Sequence, residues 1–226
     1  MKTIARFLPG DAIIRLQCVI IVVVALVFSA LLGSRFFSVA NFQSIGSQLP
    51  ILGMLALGMG MTMLTGGINL SIIAGANACS LVMAAIIVTH PDNPLFLVLA
   101  LLAGAAVAVA IGTLNGALIA WVGVSPILAT LGTMTLISGL NILLSNGTVI
   151  SGFPTAIQYL GNATIAGIPV ALLLFFLVAI LLWVLLEHTT LGRSLYLVGS
   201  NEQATRYSGV NTVRVQISVY VISALL

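Results

Sequence analysis

Long apolar runs broken by short polar interruptions set the pattern of this chain, and a helix needs about 20 apolar residues to cross a bilayer. That measure predicts helices near 16–34, 49–65, 70–89, 95–120, 126–145 and 168–186, with a seventh beginning near 214. Small residues recur four apart inside them, as at Gly104, Ala108 and Gly112, with Gly53, Gly58 and Gly60 serving the second helix in a similar way. Such faces let helix backbones approach closely. The expected fold is all-α, a polytopic transmembrane helix bundle forming a single domain over 1–226. The last run, Val219 to Leu226, stops without a cap or a basic flank, so the domain reads as truncated at its C-terminal side.

The interruptions differ in character. At Thr65-Gly66-Gly67-Ile68-Asn69-Leu70-Ser71 the glycine pair and the Asn permit two readings: a full turn at one membrane face, or an unwound break at membrane depth, tolerated only where it lines a cavity. His90-Pro91-Asp92-Asn93-Pro94 reads as a short turn. Residues 146–167 read as a longer loop with room for a small surface helix. The segment from Glu187 to Arg214 is the polar exception, holding Glu187, Arg193, Glu202, Arg206 and Arg214 of the chain's eleven Asp, Glu, Lys and Arg residues.

Within that island the residue order predicts one short helix. Ser200 or Asn201 can cap its amino end by accepting a free backbone N–H, and Glu202 in the first turn suits the helix dipole and stands four residues before Arg206. Gly209 suits a left-handed C′ position, which limits the helix to about seven or eight residues. A helix so short is unstable alone in water. It needs a surface, and Leu195, Ala204, Tyr207 and Val210 are expected to supply apolar contacts to the membrane helices or to a partner.

Composition agrees with a membrane protein: 61% of residues are apolar, 5% are charged, and the mean hydropathy is +1.27. Lys2, Arg6 and Arg15 precede the first run as in a signal peptide, but no small-residue cleavage site follows it, so it reads as a retained helix. The net charge of +3 has no Lys/Arg cluster behind it, which excludes a nucleic-acid footprint. The basic residues report orientation. With the amino terminus in the cytoplasm, six crossings put 187–213 there too, so six of the seven basic residues lie inside and only Arg35 faces out. Cys18 and Cys79 fall within apolar spans, where a thiol behaves as a small hydrophobe.

Several chemistries are missing. The four acids, Asp11, Asp92, Glu187 and Glu202, fall in predicted loops or at helix ends, which weighs against a proton relay inside the membrane. Sodium coupling through unwound carbonyls stays open, and with it an ion-coupled secondary transporter built on broken helices. A phosphate loop of the form G-x-x-x-x-G-K-[ST] needs a lysine, and the only lysine is Lys2. Any nucleotide hydrolysis that drives transport is therefore expected on a separate subunit, with ATP and Mg bound there and no cofactor on this chain. His90 and His188 lie in a turn and at a helix end, and no metal or nucleophile constellation accompanies them, so the chain reads as a transport subunit and not an enzyme.

The polar groups inside the spans are neutral, and buried amides and hydroxyls must be paired or face a wet path. Asn69, Ser71, Asn115, Thr130, Thr133 and Asn141 are the candidates for a translocation pathway. Uncharged donors and acceptors suit an uncharged polyhydroxyl solute, although interhelical hydrogen bonding explains each residue singly.

Four segments in register carry a resemblance: TGGINLS at 65–71, GTLNGALIA at 112–120, SPILATLGTMTLISGL at 125–140, and the stretch from Leu191 through GSNEQATRYSG to Leu226. Together they resemble the ribose-type branch of bacterial ABC importer permeases, from about residue 40 onward. The chain departs from it at Asn69, where the family often has Asp in GGIDLS, and at Ile72-Ile73-Ala74-Gly75, where Val-Gly usually follows. The family's E-A-A-x-x-x-G coupling pattern falls on Gln203-Ala204-Thr205-Arg206-Tyr207-Ser208-Gly209, with Gln203 in place of the acid and Glu202 just before it. The resemblance implies a permease of about ten helices when complete, seven of them visible here. It also implies a bacterial inner-membrane location, with 187–213 as a cytoplasmic coupling loop in which Glu202, Gln203, Ala204, Thr205, Arg206, Tyr207 and Gly209 meet an ATP-binding subunit. The other implied partners are a periplasmic solute-binding protein, a second permease copy and the lipid bilayer. The implied cargo is a monosaccharide or similar neutral solute.

Overall fold

The computed structural model describes residues 12–89, 93–151, 153, 157, 161 and 163–226. Lys2, Arg6, Asp11, His90-Pro91-Asp92 and Pro154, on which the orientation and outer-loop expectations partly rest, lie outside the described residues. The chain divides into two compact units, residues 1–46 and 47–226.

The first unit contains α1 (Ala12–Leu32), a single 3-10 turn at Gly33–Arg35, and the beginning of α2 (Val39–Met63). The second helix starts ten residues before the apolar run that predicted it. Asn41, Gln43, Ser44, Ser47 and Gln48 lower the local hydropathy without opposing helix, and the Ser38 hydroxyl starts it by accepting the Asn41 backbone N–H at 3.3 Å. Pro50 lies inside α2, where its ring nitrogen has no hydrogen to donate to the Gly46 carbonyl.

The second unit continues with α3 (Ile72–Ile87), α4 (Pro94–Ala120), α5 (Pro126–Ser145), a hairpin of β1 (Thr164–Ile165) and β2 (Ile168–Pro169), then α6 (Val170–His188), α7 (Thr190–Ser200), α8 (Glu202–Tyr207) and α9 (Thr212–Leu225). Ala166 at φ 51° and Gly167 at φ 84° make the two-residue turn that antiparallel hairpins favour, so the helix expected from 168 begins at Val170. Among the described residues five helices are long and apolar enough to span a membrane: α1 with its 3-10 turn, α2, α4, α5 and α6. The expected 70–89 span is corrected to the 16 residues of α3, about 24 Å of helix against a hydrocarbon core of about 30 Å. The expected span loses two residues at each end, 70–71 to the non-helical stretch 64–71 and 88–89 to a turn.

Two apolar clusters organise this unit. One joins Met61 of α2, Leu182 of α6, Leu195 and Val198 of α7, and Val215 and Val219 of α9; the other joins Ala74 and Ala78 of α3, Ile111 of α4 and Ile137 of α5. The closest helix contact is α4 against α9, and GTLNG explains it. A Cβ on Gly112 would stand 2.5 Å from the Val221 Cα, and one on Gly116 would stand 2.7 Å from the Ile217 Cα. The two glycines, four apart, let α9 lie directly on the α4 backbone. On α6 the side chains of Leu173, Phe176, Ile180 and Trp183 are exposed along one stripe, as on the apolar face of a lipid-facing helix, while Leu182 is buried.

Candidate functional site

After Leu64 the chain leaves helix, and Gly66 turns it at φ +79°, a conformation that costs glycine nothing and other residues about 1–2 kcal/mol. The Gly67 N–H returns to the Thr62 carbonyl at 3.0 Å. From there the chain runs beside the inner parts of three helices. The Thr130 hydroxyl, one turn into α5, reaches the Ile68 carbonyl at 3.1 Å, and the Tyr220 hydroxyl, two turns into α9, lies against Gly67. Residues 67–68 thus pack, out of helix, against α5 and α9.

Side chains from three helices satisfy this segment. The Asn69 amide nitrogen donates to the Ser223 hydroxyl at 3.0 Å, and its oxygen accepts the Ser71 backbone N–H at 3.1 Å and the Ser71 hydroxyl at 2.7 Å. Ser71 in turn accepts from the Asn115 amide at 2.8 Å. Asn69, Ser71, Asn115 and Ser223 thus form one buried chain of neutral hydrogen bonds linking 69–71 to α4 and α9. Two atoms beside it, Asn115 Oδ1 and the Tyr220 hydroxyl, have no partner among the described residues.

Of the six residues expected on a translocation pathway, three meet in this network. Thr130 joins the same segment one step earlier, through Ile68. Asn141 stands apart and holds the first turn of α3 by donating to the Ala74 carbonyl at 3.1 Å. Thr133 is buried on the α5 face that also carries Ala129, Thr130 and Ile137. Sequence reasoning missed Ser223 and Tyr220, because a lone hydroxyl in the apolar run VYVIS carries no signal until a partner stands opposite.

The polar island folds as two helices, which corrects the single one expected. Thr189 caps α7 by accepting the Gly192 N–H at 3.1 Å, and Leu191, Leu195 and Val198 supply its inward face. That spacing of four and three was legible in the sequence. Asn201 caps α8, accepting the Ala204 N–H at 2.9 Å. Glu202 lies in the first turn and Arg206 in the last, and Gly209 ends the element at φ +84°. Of the contacts expected to anchor the island, Leu195 and Val210 pack inward with the buried Thr205, whereas Ala204 is exposed and Tyr207 is 92% exposed. Glu202, Gln203, Ala204, Arg206, Tyr207 and Gly209 consequently share an open surface.

The island touches the start of the break and leads into the helix that packs on the rest of it. Gly199 in α7 lies against the Leu64 carbonyl, where α2 gives way to the break, and α9, which carries Tyr220 and Ser223, starts five residues after Tyr207.

Comparison with known proteins identifies the family. The family model described as "Branched-chain amino acid transport system / permease component" matches residues 41–226. Ribose import permease protein RbsC of Bacillus subtilis (strain 168) is 35% identical over 205 residues, covering 90% of this chain and 62% of the relative. Autoinducer 2 import system permease protein LsrD of Yersinia enterocolitica is 32% identical, covering 85% of this chain and 59% of the relative. D-allose transport system permease protein AlsC of Escherichia coli (strain K12) is 29% identical, covering 91% and 62%. The chain thus spans about 60% of the length of these curated relatives. No solved structure matches significantly. A buried neutral network around a helix break, a capped polar island beside it and a family match over both place the chain in the transport-system permease family, on its ribose-type ABC importer branch.

Proposed function

We propose that this chain is the membrane-spanning permease subunit of an ATP-driven importer of the bacterial inner membrane. Its cargo is a neutral polar solute, a monosaccharide or a molecule of similar chemistry, received from a periplasmic binding protein. Support comes from the relatives named for ribose, D-allose and autoinducer 2, and from an intrahelical polar set that carries no charge. The observation that bears most weight is α8 itself. A six-residue helix cannot persist alone, yet here it is capped, anchored through Thr205 and left with Tyr207 in solvent, as suits a surface that another protein completes.

ATP and Mg belong on that separate subunit, which docks on Glu202, Gln203, Ala204, Thr205, Arg206, Tyr207 and Gly209 from the cytoplasm. A second permease copy completes the pore. Movement of α8 passes through Gly209 to α9, and through α7 to Leu64, so the break between them is displaced from both sides. Asn69, Ser71, Asn115, Thr130, Thr133 and Asn141 then hold the wall of the solute path in one of its two arrangements.

The test is Gly209→Val and Arg206→Glu in the full-length permease with its ATPase. Both variants should insert normally while hydrolysis no longer drives solute uptake. Uptake at the unmodified level in either would refute the docking role. Uptake that instead collapses with the ion gradient and needs no ATPase would favour the secondary transporter, which the helix break at 64–71 also suits.

A further inference from the structure

A second site lies where α4 ends and α9 begins. A cleft of about 550 Å³ opens there, bordered by Trp121, Arg206, Asn211, Thr212, Arg214 and Ile217. Trp121 directly follows α4 and is 72% exposed, with Val122 almost as open. Both guanidinium-bearing residues are exposed, and none of the residues lining the cleft is acidic.

Position in the membrane follows from helix length. The 27 residues of α4 make about 40 Å of helix, more than the roughly 30 Å of hydrocarbon, so its end reaches the headgroup layer. An indole favours that layer, its ring among acyl chains and its N–H toward water. Arginine offers a planar fork of donors that matches a phosphate. An apolar wall of Trp121 and Ile217 beside the exposed Arg214, with no acidic residue in the lining, therefore fits a molecule that is apolar on one side and anionic on the other.

We propose that this cleft binds the headgroup of an anionic phospholipid, with Arg214 on the phosphate and Trp121 at the junction of headgroup and acyl chains. A purely acidic protein surface would match the cation and leave the exposed indole without a role. The proposal concerns the chain and its bilayer and needs no ATPase.

These 226 residues hold two tryptophans, so Trp183→Phe in this chain leaves Trp121 as its sole tryptophan, excited selectively at the red edge of indole absorption. Reconstituted in phosphatidylcholine bilayers, Trp121 should be quenched by acyl-brominated phosphatidylglycerol at a clearly lower mole fraction than by brominated phosphatidylcholine. Arg214→Gln should weaken that preference roughly five-fold, the worth of one guanidinium at an anionic surface. Arg214→Lys should retain most of it. Arg193→Gln removes an exposed charge from α7, outside the cleft, and should leave the preference unchanged. Equal quenching by the two lipids would overturn the proposal. So would equal effects of Arg193→Gln and Arg214→Gln, which would mean general surface attraction. Trp121 shielded by the ATP-binding subunit, with no lipid preference in its absence, would assign the cleft to a protein partner instead.

Discussion

Gly112→Ala tests the α4–α9 contact most directly. The added methyl would stand 2.5 Å from the Val221 Cα, 2.6 Å from the Tyr220 carbonyl oxygen and 2.8 Å from the Val221 nitrogen, all backbone atoms that no rotamer change can move. To reach ordinary contact the helices must part by about 0.9 Å. Overpacking of this kind costs about 1–3 kcal/mol. The same shift stretches the Asn115–Ser71 and Asn69–Ser223 bonds from 2.8 and 3.0 Å, each worth about 0.6 kcal/mol between membrane helices. The expected loss is about 2–4 kcal/mol, or of the order of 5–10 °C in apparent melting temperature. Thermal unfolding of the purified chain in detergent, followed by intrinsic fluorescence, measures it. Gly132→Ala and Gly139→Ala on α5 are the controls, since nothing lies within 4 Å of a Cβ at either position. Both should be neutral or stabilising by up to about 1 kcal/mol. If Gly112→Ala melts with the unmodified chain, or the α5 variants lose as much, the close packing assigned to GTLNG is wrong.

Asn69→Leu should destabilise strongly, because it leaves the Ser71 N–H, the Ser71 hydroxyl and the Ser223 hydroxyl without their partner; Asn69→Asp keeps the acceptor for both Ser71 groups and takes a proton from the Ser223 hydroxyl once that turns to donate, so it should fold, a contrast that size-exclusion profiles after mild heating will show. Asn201→Ala should cost about 1 kcal/mol and speed amide exchange across Glu202–Tyr207, whereas Asn201→Asp should leave exchange unchanged. Tyr207→Ala should leave the melting temperature within about 0.5 kcal/mol of the parent, since the side chain is 92% exposed, while reducing co-purification of the ATP-binding subunit. Unaltered co-purification would remove Tyr207 from the docking surface.

The apolar runs located α4 and α5 to within a residue at either end, because an unbroken greasy segment flanked by prolines leaves the chain few other options. They misplaced α2 and α3, where hydropathy and helix formation part company: polar residues extend one helix beyond its apolar run, and the other begins at Ile72 only once Asn69 and Ser71 have been tied into the non-helical segment before it. Local chemistry was enough for Asn201 as a cap and Gly209 as a stop, since both act on backbone within four residues.

What lies far apart in sequence needed the tertiary structure. Asn69 meets Ser223 across 154 positions, and Asn115 meets Ser71 across 44. A hydroxyl or amide in an apolar run has the same sequence signature whether it binds a solute, a neighbour or its own helix. The sequence alone determined that the chain crosses a membrane with neutral polar groups inside and a charged island at one end, because burying charge in hydrocarbon is too costly to be ambiguous. Only the packed helices decided that Asn69, Ser71, Asn115 and Thr130 close on the break at 64–71 and that α7 of the island lies against its start, because pairing depends on which backbones approach within hydrogen-bonding distance.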